Sequence, residues 1–213
     1  GFGNMNTKVT QTTLYTSGAM LAAAREALHN RRVAVAPVSG FHHAGYRLAS
    51  GFCTFNGLMV TAMVLKREER IRRIGILDFD QHYGNGTADL IGRHGALIWV
   101  RHFTAGEHYR EANQAHEFLT RIPALVRAMQ DCDLILYQAG ADPHIDDPLG
   151  GWLTTEQLRM RDRLVFESAA KHGIPIAWNL AGGYQNPLRR VLDIHNNTML
   201  ECTQVFNPVR ISG

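Results

Sequence analysis

The sequence predicts an α/β fold of three layers, in which helices cover both faces of a mostly parallel sheet. Short runs rich in Val, Ile and Leu alternate with longer segments of helical periodicity, and such alternation is typical of parallel sheets. The chain has 213 residues, of which 45% are hydrophobic and 19% charged, which suits one domain with a sizeable core. We therefore expect residues 1–213 to form a single domain.

Five apolar runs have the length and the β-branched content of buried strands. They are residues 33–37, 74–79, 96–100, 134–137 and 174–180. The predicted helices cover residues 18–28, 56–66, 117–129, 155–171 and 187–202. Ser17 is the predicted N-cap of the first helix. Thr154 with Gln157 marks the start of the fourth, and Gly173 marks its end.

Composition and charge argue against several classes of protein. No apolar run approaches the roughly 20 residues of a bilayer-spanning helix, and the N-terminus lacks the pattern of a secretion signal. Cys53, Cys132 and Cys202 are odd in number and widely spaced, which predicts neither a disulfide framework nor a thiolate zinc site. A net charge of +3, spread along the chain, does not favour nucleic-acid binding. We expect a cytoplasmic protein that binds neither membranes nor nucleic acid directly.

Polar residues follow four of the predicted strands. In chain order they are His42 and His43, then Asp78, Asp80 and His82, then Asp142, and then Tyr184. In open α/β sheets, ligands bind where loops converge at the carboxyl ends of the strands. We therefore expect these side chains to meet in one site.

Asp80 and His82 have a spacing that suits a metal site. On an extended strand, residues i and i+2 point to one face about 6.5–7 Å apart, close enough to hold one ion. Asp142 offers a third ligand from a neighbouring strand. Two carboxylates and an imidazole suit Zn²⁺, and also Fe²⁺, Mn²⁺ or Co²⁺, and leave positions for water and substrate. The alternative, that Asp80 and His82 only cap the next helix, leaves Asp142 unexplained.

His42 and His43, if isolated, would be surface or core residues. Beside a metal they become candidates for general acid and base, because a metal-bound water has a pKa near ~7, within reach of imidazole. Asp78 and Asn85 are candidates to orient the two rings. Tyr184 follows two glycines, which form either a simple turn or a backbone that directs the phenol towards a developing oxyanion.

These segments resemble the signature blocks of the arginase–deacetylase superfamily. The most similar branch is the histone-deacetylase-like one, which also contains acetylpolyamine amidohydrolases and acetoin-utilisation proteins. The blocks occur in the family's order, at residues 40–44, 49–56, 76–87, 138–142, 147–151 and 182–184. The resemblance implies an arginase/deacetylase-like fold and zinc bound by Asp80, His82 and Asp142, with K⁺ as a structural ion near residues 78–82.

The resemblance also implies roles for the catalytic residues. His43 would act as general base and then general acid, with His42 beside it as an electrostatic and proton-handling partner. Asp78 would pair with His42, and Asn85 with His43. Tyr184 would polarise the scissile carbonyl.

A channel for the acylated amine is implied around Gly51 and Phe52, although this aromatic residue is open to a core interpretation as well. Residues 101–109 replace the region that usually supplies a second aromatic wall, and His108 or Tyr109 is the candidate for that role. Leu149 stands where polyamine-selective members carry an acidic residue, so an apolar side chain there favours acyl-lysine or another neutral acyl-amine.

Two further departures from the family pattern concern the front of the chain and position 83. The chain is shortened at the N-terminus, where members usually carry a further strand and part of the substrate-entry rim. We expect a more open rim and an exposed sheet edge, which a second subunit of a homo-oligomer would cover. Tyr83 replaces a frequent histidine that is not a metal ligand.

The leading prediction is a zinc-dependent deacetylase that releases acetate from ε-acetyl-lysine in proteins or peptides and is inhibited by hydroxamates. The second is an amidohydrolase of acetylpolyamines or other small acyl-amines. The third is a binding module that recognises acyl-lysine without cleaving it, against which the intact His42, His43 and Tyr184 argue. An arginase-like manganese cluster is disfavoured because a second set of metal ligands is not found.

Overall fold

A computed structural model describes residues 6–207 of the chain. Within that part, five strands alternate with helices. In chain order the elements are α1 (Thr7–Asn30), β1 (Val33–Ala36), α2 (Gly57–Arg67), β2 (Ile74–Asp78), α3 (Asn85–Arg93), β3 (Val100–Thr104), α4 (Ala105–His108), α5 (Ala115–Arg127), β4 (Leu134–Gln138), α6 (Thr155–His172), β5 (Ile176–Asn179) and α7 (Arg189–Phe206).

The five strands form one parallel sheet in the order β1-β5-β4-β2-β3. Every residue of β2 and β4, near the middle of the sheet, is buried, as expected of strands covered on both faces. The register aligns Asp78, Gln138 and Asn179 in one row at the carboxyl ends of β2, β4 and β5. Loops that leave these three strands therefore start from one edge.

Alternate residues of the central strands point to two separate cores. Ile76 and Leu136 pack with α1 and α2 on one face of the sheet. Leu77 and Tyr137 pack with α5, α6 and α7 on the other face. This sorting follows from the two-residue period of a strand and confirms the predicted three-layer α/β fold.

The first helix and the third strand differ from the predictions. Helix α1 begins ten residues before Ser17: Asn6 caps it by accepting from the N–H of Lys8, 3.0 Å. Ser17 lies inside the helix and donates to the carbonyl of Thr13, so its prediction as the N-cap is wrong. Residues 96–98 form a 3₁₀ turn, and β3 begins at Val100, where pairing with β2 starts.

Two helix boundaries show how local chemistry sets the chain direction. Thr154 and Gln157 form a capping box at the start of α6, and Gly173 ends that helix in the left-handed region at φ 64°, as predicted. Helix α3, which starts at Asn85, was not predicted, since its nine residues include two glycines and few apolar positions.

Among residues 6–207, no helix is long and apolar enough to cross a membrane.

Candidate functional site

The polar residues predicted to converge do so at the carboxyl edge of the sheet. One correction concerns the geometry of Asp80 and His82. Strand β2 ends at Asp78, so the two residues lie beyond the strand rather than on its face. The chain turns there because a carboxylate oxygen of Asp80 accepts the backbone N–H of His82 at 3.0 Å. This turn, and not an extended backbone, brings the two side chains together.

Asp80, His82 and Asp142 form a compact ligand cluster. One ligand atom from each of the three residues lies within 4.8 Å of the other two. The Nδ1 atom of His82 is 3.2 Å from Oδ1 of Asp80 and 3.0 Å from Oδ2 of Asp142. Both carboxylates are almost completely buried, whereas the His82 ring is one-third exposed. The cluster is therefore open to solvent on the histidine side.

Backbone groups fix the orientation of the two carboxylates. The N–H of Gly182 donates to Oδ2 of Asp80, and the N–H of Gln81 donates to Oδ1 of Asp142, each at 3.0 Å. A Cβ at position 182 would lie 2.5 Å from Asp142 and 2.7 Å from Asp80. Only glycine leaves room for both carboxylates at this point.

The charge of this cluster fits a divalent cation. Burial and the neighbouring Asp80 raise the pKa of Asp142 above its usual range. Burial also opposes the charge of Asp80, but His42 and His82 hold the pKa of this carboxyl below its usual range. A cation among the three ligand atoms would neutralise both carboxylates at once. Two carboxylates and one imidazole form a donor set that Zn²⁺ and Fe²⁺ accept, so the residues present fit such a metal.

Each of the paired histidines has its own hydrogen-bond partner. Nδ1 of His42 lies 2.7 Å from Oδ2 of Asp78, and Nδ1 of His43 lies 2.6 Å from Oδ1 of Asn85. The two rings are adjacent, with centroids 4.0 Å apart. Gln138 donates to the second oxygen of Asp78 at 3.1 Å, which fixes that carboxylate from behind. Nε2 of His42 lies 3.5 Å from Oδ1 of Asp80, so this ring also faces the ligand cluster.

The two imidazoles have opposite electrostatic environments. Burial opposes the charge of His42, but Asp78 and Asp80 overcome it and raise the pKa of His42 to about 9. Burial and the neighbouring His42 lower the pKa of His43 below its ordinary value. His42 is therefore the imidazole that carries a positive charge, and His43 is the neutral one.

A cavity of about 110 Å³ opens beside this cluster. It is lined by Ser39, Gly40, His42, Gly51, Phe52, Cys53, Asp80, Gly182 and Tyr184. The rings of Phe52 and Tyr184 have centroids 5.9 Å apart, and burial raises the pKa of the Tyr184 phenol. Gly51 has φ 52°, and a Cβ there would lie 2.3 Å from the His43 ring. Gly51, Phe52 and Tyr184 therefore share one narrow, partly apolar opening with His42.

Asp147 connects two loops at the entrance. Its two carboxylate oxygens accept from the backbone N–H groups of Leu149, 3.0 Å, and Tyr184, 2.8 Å. This buried carboxylate thus positions the residue that carries the phenol. Leu149 itself is half-exposed, on the loop beside the cavity and outside its lining.

The region expected to supply a second aromatic wall is arranged differently. His108 is exposed and stacks on Phe103, with centroids 5.3 Å apart, and it does not contribute to the cavity lining. Tyr109 is buried and stacks on Trp152 in the core, so its candidacy as a wall residue is wrong.

Residues that sequence reasoning did not assign include Gln138, Asp147 and Arg161. Gln138 and Asp147 each begin a segment that resembles a family block, but the sequence assigned neither of them a role. Arg161 and Asp162 did offer a signal. The buried positions of α6 include Leu158, Val165 and Phe166, and a charged pair at residues 161 and 162 falls on that same apolar face.

The arrangement defines an α/β protein with a candidate metal centre at the carboxyl edge of its sheet. The model of the histone deacetylase domain family matches residues 3–109 and 100–199. The chain therefore belongs to the histone deacetylase domain family.

The chain is also similar to curated relatives in sequence and to solved structures in fold. The chain is 28% identical over 205 residues to an uncharacterized protein from Picosynechococcus sp., covering 88% of this chain and 68% of the relative. It is 26% identical over 197 residues to histone deacetylase 6 of Caenorhabditis elegans, covering 78% of this chain and 20% of that protein.

The fold is similar to that of acetylpolyamine aminohydrolase from Burkholderia pseudomallei, with a TM-score of 0.71 and 18% identity, over 92% of this chain and 63% of that chain. It is also similar to the HDA15 HD domain, with a TM-score of 0.69 and 21% identity, over 88% of this chain and 62% of that one. The chain thus spans less than two thirds of both solved structures.

Proposed function

We propose that this protein hydrolyses an acyl-amide in a metal-dependent reaction, and that its substrate is ε-acetyl-lysine in a protein or peptide. The observation that carries the proposal is the meeting of three groups at the carboxyl edge of the sheet, beside a cavity that His42, Asp80 and Tyr184 help to line. These groups are the Asp–His–Asp cluster, two histidines with separate hydrogen-bond partners, and the Tyr184 phenol. Membership of the histone deacetylase domain family supports the same reaction.

Asp80, His82 and Asp142 would hold the metal, for which Zn²⁺ is our proposal and Fe²⁺ the alternative. A divalent ion bound there supplies Lewis-acid chemistry, since it polarises a carbonyl and lowers the pKa of water. For K⁺, we propose a structural site formed by the backbone around residues 78–82.

His43 would move the proton. Its Nδ1 faces the carbonyl oxygen of the Asn85 amide, so Nδ1 would carry the hydrogen and Nε2 the lone pair. A neutral imidazole in that tautomer accepts the proton of the attacking water at Nε2 and returns it to the leaving amine nitrogen. His42, held by Asp78, keeps a positive charge next to the reacting atoms.

Tyr184 would donate its hydroxyl hydrogen to the carbonyl oxygen, on which negative charge develops. Burial raises the pKa of this phenol, so it remains protonated and able to donate. Phe52 and Gly51 would exclude water from the aliphatic part of the substrate. The products are acetate and a free amine.

The experiment that tests this function compares the zinc-loaded protein with its Asp80→Ala variant. We expect release of acetate from an acetyl-lysine peptide, inhibition by a hydroxamate, and loss of both zinc and activity in the variant. No turnover of acetyl, longer acyl or acetylpolyamine substrates at full zinc occupancy would refute the proposal and favour a binding module.

A second candidate substrate is an acetylpolyamine, because a solved structure with this fold is an acetylpolyamine aminohydrolase. The specificity constants on an acetyl-lysine peptide and on acetylputrescine separate the two. The half-exposed, apolar Leu149 at the entrance supports the neutral lysine substrate, since it offers no charge to a polyamine.

A further inference from the structure

A buried arginine connects the two segments that carry the carboxylate ligands. Arg161, on α6, is fully buried. Its Nη1 atom donates to the carbonyl oxygen of Phe79 at 3.1 Å and to that of Gly140 at 2.7 Å. Phe79 directly precedes Asp80, and Gly140 stands two residues before Asp142. One guanidinium nitrogen therefore holds both strand ends.

The guanidinium is itself held in one orientation. Its Nε donates to Oδ1 of Asp162 at 2.8 Å. That carboxylate also accepts from the hydroxyl of Tyr137 and, at 2.6 Å, from that of Thr198. Burial opposes the charge of Arg161, but Asp162 holds its pKa above the ordinary value, so the cation persists. A planar, charged fork with fixed partners makes a rigid anchor.

Apart from Arg161, the carboxylate of Asp142 joins the two ligand segments directly: it accepts from the N–H of Gln81 at 3.0 Å and lies 3.0 Å from Nδ1 of His82. Ladder pairing of β2 with β4 ends with the N–H of Phe79, which donates to the carbonyl of Gln138. Beyond this bond, residues 80–82 and 139–142 share no backbone–backbone hydrogen bond in the described part of the chain. They nevertheless run in direct contact, since a Cβ at Gly140 would lie 2.8 Å from Cα of Asp80. Arg161 is a charged group outside the ligand cluster that donates to both segments.

We propose that Arg161 is a positioning residue that sets the separation of the Asp80 and Asp142 carboxylates, and with it the affinity of the metal site. This inference rests on the proposed function of that cluster. Groups that orient metal ligands from behind typically change metal affinity by ~10–100-fold when they are replaced. A purely structural arginine would change stability without changing that affinity.

A matched control is offered by an ion-pair network between α6 and α7. Glu201, on α7, is buried and pairs with Arg159 and Arg163 of α6. Neither arginine of this pair bonds to residues 79–82 or 139–142. Glu201→Gln therefore weakens the pairing of a buried carboxylate with two partly exposed arginines of α6, without touching the ligand segments.

The experiment measures zinc affinity, by competition with a chromophoric chelator, and the melting temperature of the metal-free protein. In Arg161→Lys an ammonium keeps the charge beside Asp162, but it lacks the planar fork that serves Asp162 and two carbonyls together. We expect zinc affinity to fall by ~10–100-fold. Glu201→Gln should lower the melting temperature and leave zinc affinity unchanged.

Wild-type zinc affinity in Arg161→Lys, or an equal loss in Glu201→Gln, would overturn the inference. If Arg161→Lys does not fold, Asp162→Asn is measured instead. The asparagine still offers an oxygen to the guanidinium but holds it less firmly, so we expect a smaller loss of zinc affinity. No loss of zinc affinity in Asp162→Asn would overturn the inference. The proposed function fails separately, if wild-type protein binds no zinc or if Asp80→Ala binds it equally well.

Discussion

A methyl group at position 182 would enter the ligand cluster directly. In Gly182→Ala, the new Cβ would lie 2.5 Å from Oδ2 of Asp142 and 2.7 Å from Oδ2 of Asp80. Ordinary van der Waals contact begins at 3.4 Å, so the two carboxylates must retreat by about 0.9 and 0.7 Å. A misplacement of about 1 Å costs on the order of 10²-fold in rate. This loss corresponds to about 2.7 kcal/mol of transition-state stabilisation.

The assay is kcat/KM on an acetyl-lysine peptide, together with the zinc content of the purified protein. Gly92→Ala is the control, because Gly92 is exposed in α3 and its Cβ would meet nothing within 4 Å. Alanine there should retain full activity and stabilise the helix by about 0.5–1 kcal/mol. Full zinc occupancy and near-wild-type activity in Gly182→Ala would refute the proposed ligand geometry.

Three other changes separate metal binding, catalysis and stability. Tyr184→Phe should keep the zinc and lose ~10²–10³-fold in kcat, because one oxyanion donor is removed; loss of zinc would contradict this role. Asp147→Asn should lower kcat by about tenfold, as one acceptor for the entrance loops is lost, whereas the exposed Asp146→Asn should not. Burial and then Arg161 lower the pKa of His195 to about 4. The pKa of His195 is lower in the folded state than its unfolded value near 6.5. Its contribution to the free energy of unfolding is therefore complete above pH 6.5. As the pH falls towards 4, the free energy of unfolding decreases by up to about 3 kcal/mol. In urea unfolding, His195→Leu should therefore lose less stability than wild type between pH 7 and pH 5, and equal losses would contradict the assignment.

The fold could be read from the sequence where burial is complete. Strands β2 and β4 are buried at every position, so their apolar runs stand out from the helices around them. The prediction of residues 96–100 as a strand was wrong for the opposite reason. Leu97 and Ile98 are apolar but about four-fifths exposed, because the sheet begins only where Val100 pairs with Ile74. Pairing register is a tertiary property that an apolar run does not encode.

The site was predictable to the extent that its residues follow strand ends. The expected pairings of Asp78 with His42 and of Asn85 with His43 are present in the structure. The turn at Asp80 was not predictable, since it depends on the side chain accepting its own chain's N–H two residues later. The roles of Asp147 and Gln138 were not predictable for a similar reason, because each acts through contacts with residues distant in sequence.

The two neighbouring imidazoles differ because their partners differ. Asp78 is a buried carboxylate at the end of β2, so it stabilises a proton on His42 against the cost of burial. Asn85 begins α3 and is neutral; it fixes the tautomer of His43 without stabilising a charge to the same degree. The charged His42 then disfavours a second proton on His43. Two adjacent positions of identical chemistry thus acquire distinct properties from one strand end and one helix start. A neutral base beside a charged group is an arrangement that suits general acid–base catalysis, as the proposed hydrolysis needs.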